Sequence, residues 1–344
     1  MGGCDPGGGA TADAQDPGTR DEGSEAVPLT YFEFGTLAAL WLFAEQAVEA
    51  AVLEVGLGGR LDAVNAFDAD SAIVVSVDLD HMEYLGPDRE AIGFEKAGIF
   101  RAGRPAICAD PEPPASLERH AAQLGAHWLA IGVDFGYERQ GSQWRYWGPG
   151  GKRGALPYPA LRGAVQLGNA SAAITALDTL RGRLPVAAAD VRSGLLQAEL
   201  AGRFQVLPGR PAVILDVAHN PHAARALAAN LRGFERGGRT LAVFAMLKDK
   251  DIAGVIDAVK AVIDHWFVAS ADTPRAASAE FLSRQLAQAG AAATSCESIA
   301  AGYALACDMA RENDRILVFG SFYTVAAAMQ LRAPRVSGSA RGKT

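Results

Sequence analysis

Cysteine is scarce and scattered in this sequence. Cys4, Cys108, Cys296 and Cys307 never approach the short spacing of a zinc clip and outline no disulfide framework. A reducing compartment is the simplest expectation. Long apolar runs are missing too: the longest, Leu37 to Ala44, is closed by Glu45 and falls far short of a bilayer span. No block of Lys and Arg offers a grip on a phosphate backbone, since 32 basic residues face 39 acidic ones for a net charge of −7. The opening stretch, Met1-Gly-Gly-Cys-Asp-Pro, has neither the basic start nor the apolar centre of a secretory signal. These absences lead to the expectation of a cytoplasmic protein with small-molecule partners, engaging neither nucleic acid nor membrane.

What is present is the material of a buried core. With 49% hydrophobic and 21% charged residues the composition excludes a disordered or fibrous chain, and 344 residues leave room for two domains. Residues 1–28, rich in Gly, Ala, Asp and Pro, carry too little apolar surface to offset the entropy of ordering, and read as a disordered leader; 333–344 read as a disordered tail. From Leu29 the texture changes. Tyr31 to Ala50 has apolar residues at helical spacing, Ala51 to Val55 reads as a buried strand, and Ser71 to Val77 as a second. Asp88 to Ile99 reads as a helix, Arg104 to Cys108 as a strand and Pro114 to Leu124 as a helix, an alternation that argues for a parallel sheet. Between Trp128 and Tyr158 glycine and aromatics suggest an insertion of short antiparallel strands. Helical periodicity returns over Asn169 to Leu180 and Ala189 to Leu200. From Arg203 the alternation restarts, with apolar strands at Ala212 to Asp216, Leu241 to Ala245, Trp266 to Ala269 and Ile316 to Phe319. The division expected is a domain over 29–201 and a second α/β domain over 202–332.

Parallel strands present polar residues at their carboxyl ends to ligands, and three such places stand out. Glu54 ends an apolar strand and runs into the glycine-dense Val55-Gly56-Leu57-Gly58-Gly59-Arg60. A carboxylate there needs a cation or a donor. Asp78-Leu79-Asp80-His81 follows the next strand, and Glu54, Asp80 and His81 could meet as oxygen and nitrogen ligands of a divalent metal. Each is equally readable alone as an ordinary loop polar group, and the glycines as simple turns. The third place is Asp216-Val217-Ala218-His219-Asn220-Pro221, where Asn220 is a good N-cap and Pro221 a good first helical residue. The positive end of that helix would lie beside Asp216 and His219, an arrangement suited to a nucleotide; the alternative is a plain strand-turn-helix junction.

Long strings of residues resemble one family closely: LTYFEFGTLAALWLF (29–43), LEVGLGGRLDAVNAFDAD (53–70), LGPDREAIGFEKAGIFR (85–101), LPGRPAVILDVAHNPHAA (207–224), MLKDKDIAG (246–254) and GSFYTVA (320–326). They are similar to the bifunctional dihydrofolate synthase/folylpolyglutamate synthases of the Mur ligase superfamily. The resemblance implies a Mur-ligase-type central parallel sheet with helices and a small antiparallel insertion, followed by a Rossmann-like α/β domain. It implies an ATP-dependent amide ligase of folate metabolism, in which a carboxylate is phosphorylated and the amine of L-glutamate displaces the phosphate. Mg2+ would let phosphate chain and carboxylate approach without mutual repulsion. By position Glu54 and His81 would be metal ligands, and Lys96 the lysine that the family carbamylates. Asn169, Arg203, Asp216 and His219 would contact ATP; Thr30, Tyr31, Phe32, Glu33 and Leu61 would form the pterin surface. The partners implied are dihydropteroate, folates, L-glutamate and ATP, taken up by a monomer.

The family's first strand, P-loop and helix have no counterpart in 1–28. Gly150-Gly151-Lys152-Arg153 is no substitute, because no Ser or Thr follows the lysine and Ala155-Leu156-Pro157 starts no helix. The central sheet is therefore expected to be incomplete and ligase turnover to be largely lost, since backbone N–H groups and the P-loop lysine cradle the phosphates. A peptidoglycan-type Mur ligase and a non-catalytic nucleotide- or pterin-binding remnant stay open as alternatives.

Overall fold

A computed structural model describes residues 27–234 and 238–332. Residues 1–26 of the expected leader over 1–28, and the expected tail over 333–344, lie outside the described residues. Two compact units divide the chain, one ending at Glu54 and the other starting at Val55.

In the first unit, helix α1 (Tyr31–Glu45) starts on a reciprocal cap. The Thr30 amide donates to Glu33 Oε2 at 2.7 Å, and the Glu33 amide donates to Thr30 Oγ1 at 3.3 Å. The expected strand at Ala51 to Val55 does not form: among the described residues none pairs with this stretch as a strand, and Val52 is 97% exposed. A β-branched run becomes a strand only when another backbone takes up its N–H and C=O groups.

The second unit contains three sheets. Strand β1 (Ala72–Val74), the short helix α2 (Met82–Leu85), α3 (Arg89–Ala97), β2 (Pro105–Cys108), α4 (Ala115–Leu124) and β3 (His127–Ala130) build a parallel sheet in the order β1-β2-β3. Strand β1 stops short of the expected Val77 because the Val77 amide is taken by the Asp110 carboxylate at 2.8 Å instead of a neighbouring strand. Trp128 belongs to this parallel sheet rather than to the antiparallel insertion, with Ala106 opposite it across the β2–β3 pair. Val74, Ile92, Phe100 and Leu117 fill one face of the sheet.

Strands β4 (Gly136–Gln140), β5 (Gln143–Gly148) and β6 (Gly151–Pro157) form the antiparallel insertion. The Gly150-Gly151-Lys152 stretch is part of its β5–β6 hairpin. Helices α5 (Gln166–Thr179) and α6 (Ala188–Gln197) follow, and Phe135, Trp144, Tyr146, Leu167 and Ile174 make a shared core with Ile107 of β2.

The third sheet has six strands. In chain order its elements are β7 (Gln205–Leu207), β8 (Ala212–Asp216), α7 (Pro221–Arg232), β9 (Thr240–Phe244), α8 (Ile252–Val259), β10 (His265–Val268), α9 (Ala279–Gln288), β11 (Ala293–Ser295), α10 (Ile299–Met309), β12 (Arg315–Phe319) and α11 (Phe322–Arg332). The spatial order is β11-β10-β9-β12-β8-β7, parallel except for the edge pair β7–β8. Alternation along β8 sends Ile214 to a core with Leu227, Val255 and Leu282, and Val213 and Leu215 to one with Ile299 and Val325. Helices thus cover both faces. β7 and β11 were not expected; at three residues each they are too short for a periodicity to register.

Candidate functional site

The segment leaving β1 is anchored before it reaches its polar residues. Asp110 accepts from the Val77 amide and from Arg89 Nη2 at 3.2 Å, while Arg89 Nε donates to the Val77 carbonyl at 2.9 Å. The chain then runs through Asp78, Leu79 and Asp80 to His81, whose backbone is left-handed at φ 50°. Asp80 Oδ1 accepts from the His81 amide at 2.9 Å and lies 3.8 Å from His81 Nε2. Lys96, in the last turn of α3, is partly buried; burial lowers its pKa, opposed by the nearby Asp80 carboxylate. Asp80 thus lies against His81 and near enough to Lys96 for the two charges to interact.

The glycine-dense loop serves these residues by holding α3. The Arg60 amide donates to the Glu95 carbonyl at 2.8 Å, and its guanidinium forks onto the Glu95 carboxylate at 2.9 to 3.2 Å. Gly59 has φ +157°, and a Cβ there would stand 2.9 Å from the Glu95 carbonyl oxygen. The amides of Gly56 and Leu57 both donate to Asp62 Oδ2 at 2.9 Å, so they are not presented to a phosphate. Glu54 belongs to the first unit. Among the described residues no group of three or more His, Cys, Asp or Glu is placed to hold a metal ion. Asp80 and His81 supply a sparse donor set, which suits a hard cation whose shell is completed by phosphate oxygens and water.

At the carboxyl end of β8, Asp216 accepts from the Phe204 amide at 2.9 Å and the Ala218 amide at 2.8 Å. Burial pushes its carboxyl pKa up, against these bonds and the charges of Arg203 and His219. Arg203 lies over the exposed Phe322 ring, 5.5 Å from its centroid, and the His219 ring is 6.4 Å from the same ring. Asp216, Arg203, His219 and Phe322 thus form a polar and aromatic cluster beside the start of α7. Asn169 sits on α5, where its side-chain Nδ2 donates to Gln166 Oε1 at 3.2 Å; among the described residues it makes no hydrogen bond to Asp216, Arg203 or His219.

The expected pterin residues divide between the units. Thr30 and Glu33 are engaged in capping α1, Tyr31 is 96% exposed and Phe32 is exposed, all in the first unit; Leu61, in the second, is 80% exposed.

Three polar contacts join the segment after β1 to α7. Asn220 Nδ2 donates to Asp80 Oδ2 at 2.7 Å while its Oδ1 caps the Ala223 amide. His222 Nδ1 and Arg225 Nη2 both meet Asp78 Oδ2 at 2.6 Å. Sequence reasoning identifies Asn220 as a cap and Asp78 as a strand-end acid, but gives no role to His222 or Arg225. No local signal could pair residues 144 and 147 positions apart.

Residues 202–322 match the family described as Mur ligase, glutamate ligase domain. The dihydrofolate synthase/folylpolyglutamate synthase of Escherichia coli K12 is 44% identical over 312 residues, 91% of this chain and 72% of that protein. Among solved structures, E. coli FolC in complex with DHPP and ADP superposes with a TM-score of 0.82 at 45% identity, covering 88% of this chain and 71% of that one. A bifunctional folylpolyglutamate synthase/dihydrofolate synthase with Mn, AMPPNP and L-glutamate bound gives 0.80 at 42% identity, covering 88% and 71%.

Proposed function

The chain belongs to the dihydrofolate synthase/folylpolyglutamate synthase family, and from that premise we propose that its site serves an ATP-dependent amide ligation. ATP phosphorylates the carboxylate of dihydropteroate or of a folate's terminal glutamate; the amine of L-glutamate attacks the acyl phosphate and phosphate leaves. The observation that supports this reading best is that Asp80, which lies against His81 and interacts with the Lys96 charge, is bonded directly to the helix that starts beside Asp216.

The residues divide the work by their chemistry. Asp216, with Arg203 and His219 beside it, is suited to the nucleotide: the carboxylate to a sugar hydroxyl and the guanidinium to phosphate. Asn169 on α5 is assigned to the same ligand by resemblance. Burial favours the neutral amine of Lys96, the form that can add carbon dioxide and release a proton to become a carbamate. The relatives' divalent ion corresponds here to Mg2+, which when bound supplies charge neutralisation between phosphate chain and carboxylate. His81 would hold it, together with Glu54, whose role rests on resemblance alone. The exposed Tyr31, Phe32 and Leu61, with Thr30 and Glu33, are assigned to the pterin. We place the protein in the cytoplasm as a monomer, divided into domains 29–201 and 202–332.

The test is phosphate release with ATP and L-glutamate, with dihydropteroate or tetrahydrofolate as acceptor. The readout is stimulation over the acceptor-free rate. Stimulation by a folate-type acceptor supports the reading, and a rate indifferent to both acceptors overturns it. Asp216→Ala should raise the KM for ATP more than it lowers kcat.

A further inference from the structure

The contacts between the segment after β1 and α7 are not needed to hold either sheet together. Each sheet has its own core, one around Ile92 and Leu117 and the other around Leu227 and Val255. What the contacts fix is the position of Asp78 to His81. Asp78 gathers three donors: the Leu79 amide at 2.7 Å on Oδ1, with His222 and Arg225 on Oδ2. Asp80 is held between the His81 amide and Asn220. His81, between that anchor and α2, keeps a left-handed backbone that a residue other than glycine retains only where its surroundings impose it. From the far side, the Tyr84 and Leu85 amides donate to the His81 carbonyl at 2.9 and 3.0 Å.

Helix α7 is a firm base for such an anchor. Ala224, Leu227, Ala228 and Leu231 are buried in the six-stranded sheet's core, and its first residue, Pro221, is packed so closely against Gly254 that a Cβ there would approach Pro221 Cγ to 2.8 Å. We infer that His222 and Arg225, through Asp78, are positioning residues that latch the Asp80–His81 segment in place beside Lys96. Neither is assigned to a ligand; they act through the segment they hold. The inference rests on the ligase reading for its effect on turnover, but the latch itself is independent of it.

Amide hydrogen exchange on the full chain tests the latch. In Asp78→Asn and in the double variant H222A/R225A, exchange over residues 77–85 should accelerate about tenfold, the scale of losing a charged hydrogen bond, while β9 exchanges as before. Combining all three substitutions should add nothing further, because both sides of the same contact have already gone. Unchanged exchange over 77–85, or effects that simply add, would overturn the latch whatever the turnover. In phosphate release the same variants should lower kcat about tenfold with the KM for ATP within about twofold, and Arg225→Lys should recover most of the loss. Accelerated exchange with kcat intact would overturn the positioning role. If the unsubstituted chain shows no acceptor-stimulated release, the ligase reading fails, while the exchange cycle still decides the latch.

Discussion

Lys96 shows how much one side chain's surroundings can alter its chemistry. The sequence gives a lysine in the last turn of a helix, which by composition alone would be solvated; the fold buries it and thereby lowers its pKa from 10.5, with Asp80 opposing. Competitive acetylation followed residue by residue should show Lys96 reaching half reactivity below that ordinary value. The linkage sign follows from the lowered value: the cost of holding the ammonium in the folded state is fully present below the folded pKa and disappears as pH rises towards 10.5. Lys96→Met should therefore gain more stability at about pH 7 than at about pH 10, read from urea midpoints. Gly98 is equally local in cause. A Cβ there would lie 2.4 Å from Arg60 Cβ and 2.5 Å from Arg60 Cα, neither of which can swing away. Gly98→Ala should cost about 1–3 kcal/mol in denaturant unfolding by pushing the glycine loop off α3. The glycine density of 56–59 was visible in the sequence; that the loop seats a helix and offers the Gly56 and Leu57 amides to Asp62 was not.

Between elements, buried polar contacts decide which surfaces meet. The antiparallel sheet is fastened to α5 by Tyr146, whose hydroxyl donates to Asp178 Oδ2 at 3.0 Å and lies 3.0 Å from Thr175 Oγ1, with Arg153 closing on the same carboxylate. Burial pushes the Tyr146 phenol pKa up, so it stays a donor. Tyr146→Phe leaves Asp178 short of a partner and should destabilise the chain by about 1–3 kcal/mol, measured by denaturant unfolding. The insertion was legible from its glycine and aromatics, but its fastening to a helix downstream depends on a contact across 32 positions. Caps behave differently: Asp88, Asn220 and Ser298 each bond the third residue of their own helix, a purely local event that the sequence announces.

For the molecule as a whole, the six-stranded sheet carries cores on both faces drawn from residues beyond 203, among them Phe244, Trp266 and Phe319 on one side and Leu241, Phe267 and Ile316 on the other. Residues 202–332 expressed alone should therefore unfold in one cooperative transition by calorimetry; a broad, non-cooperative melt would show that this part depends on the rest of the chain. No helix of the described residues is long and apolar enough to cross a membrane. Residues 202–322 are the stretch that matches a glutamate ligase domain.

The sequence by itself determined the alternation of strands and helices, the caps, and the identity of the chemically capable residues at strand ends, because periodicity and capping act over a few neighbouring positions. It also carried the strings that placed the chain in its family. Only the tertiary structure decided that Ala51 to Val55 form no strand among the described residues, that His127 to Ala130 join the parallel sheet, and that Asp78 and Asp80 are held by Asn220, His222 and Arg225. A strand exists only through its neighbour, and a carboxylate's partner is set by how two sheets come together. Neither relation is written in the residues on either side of it.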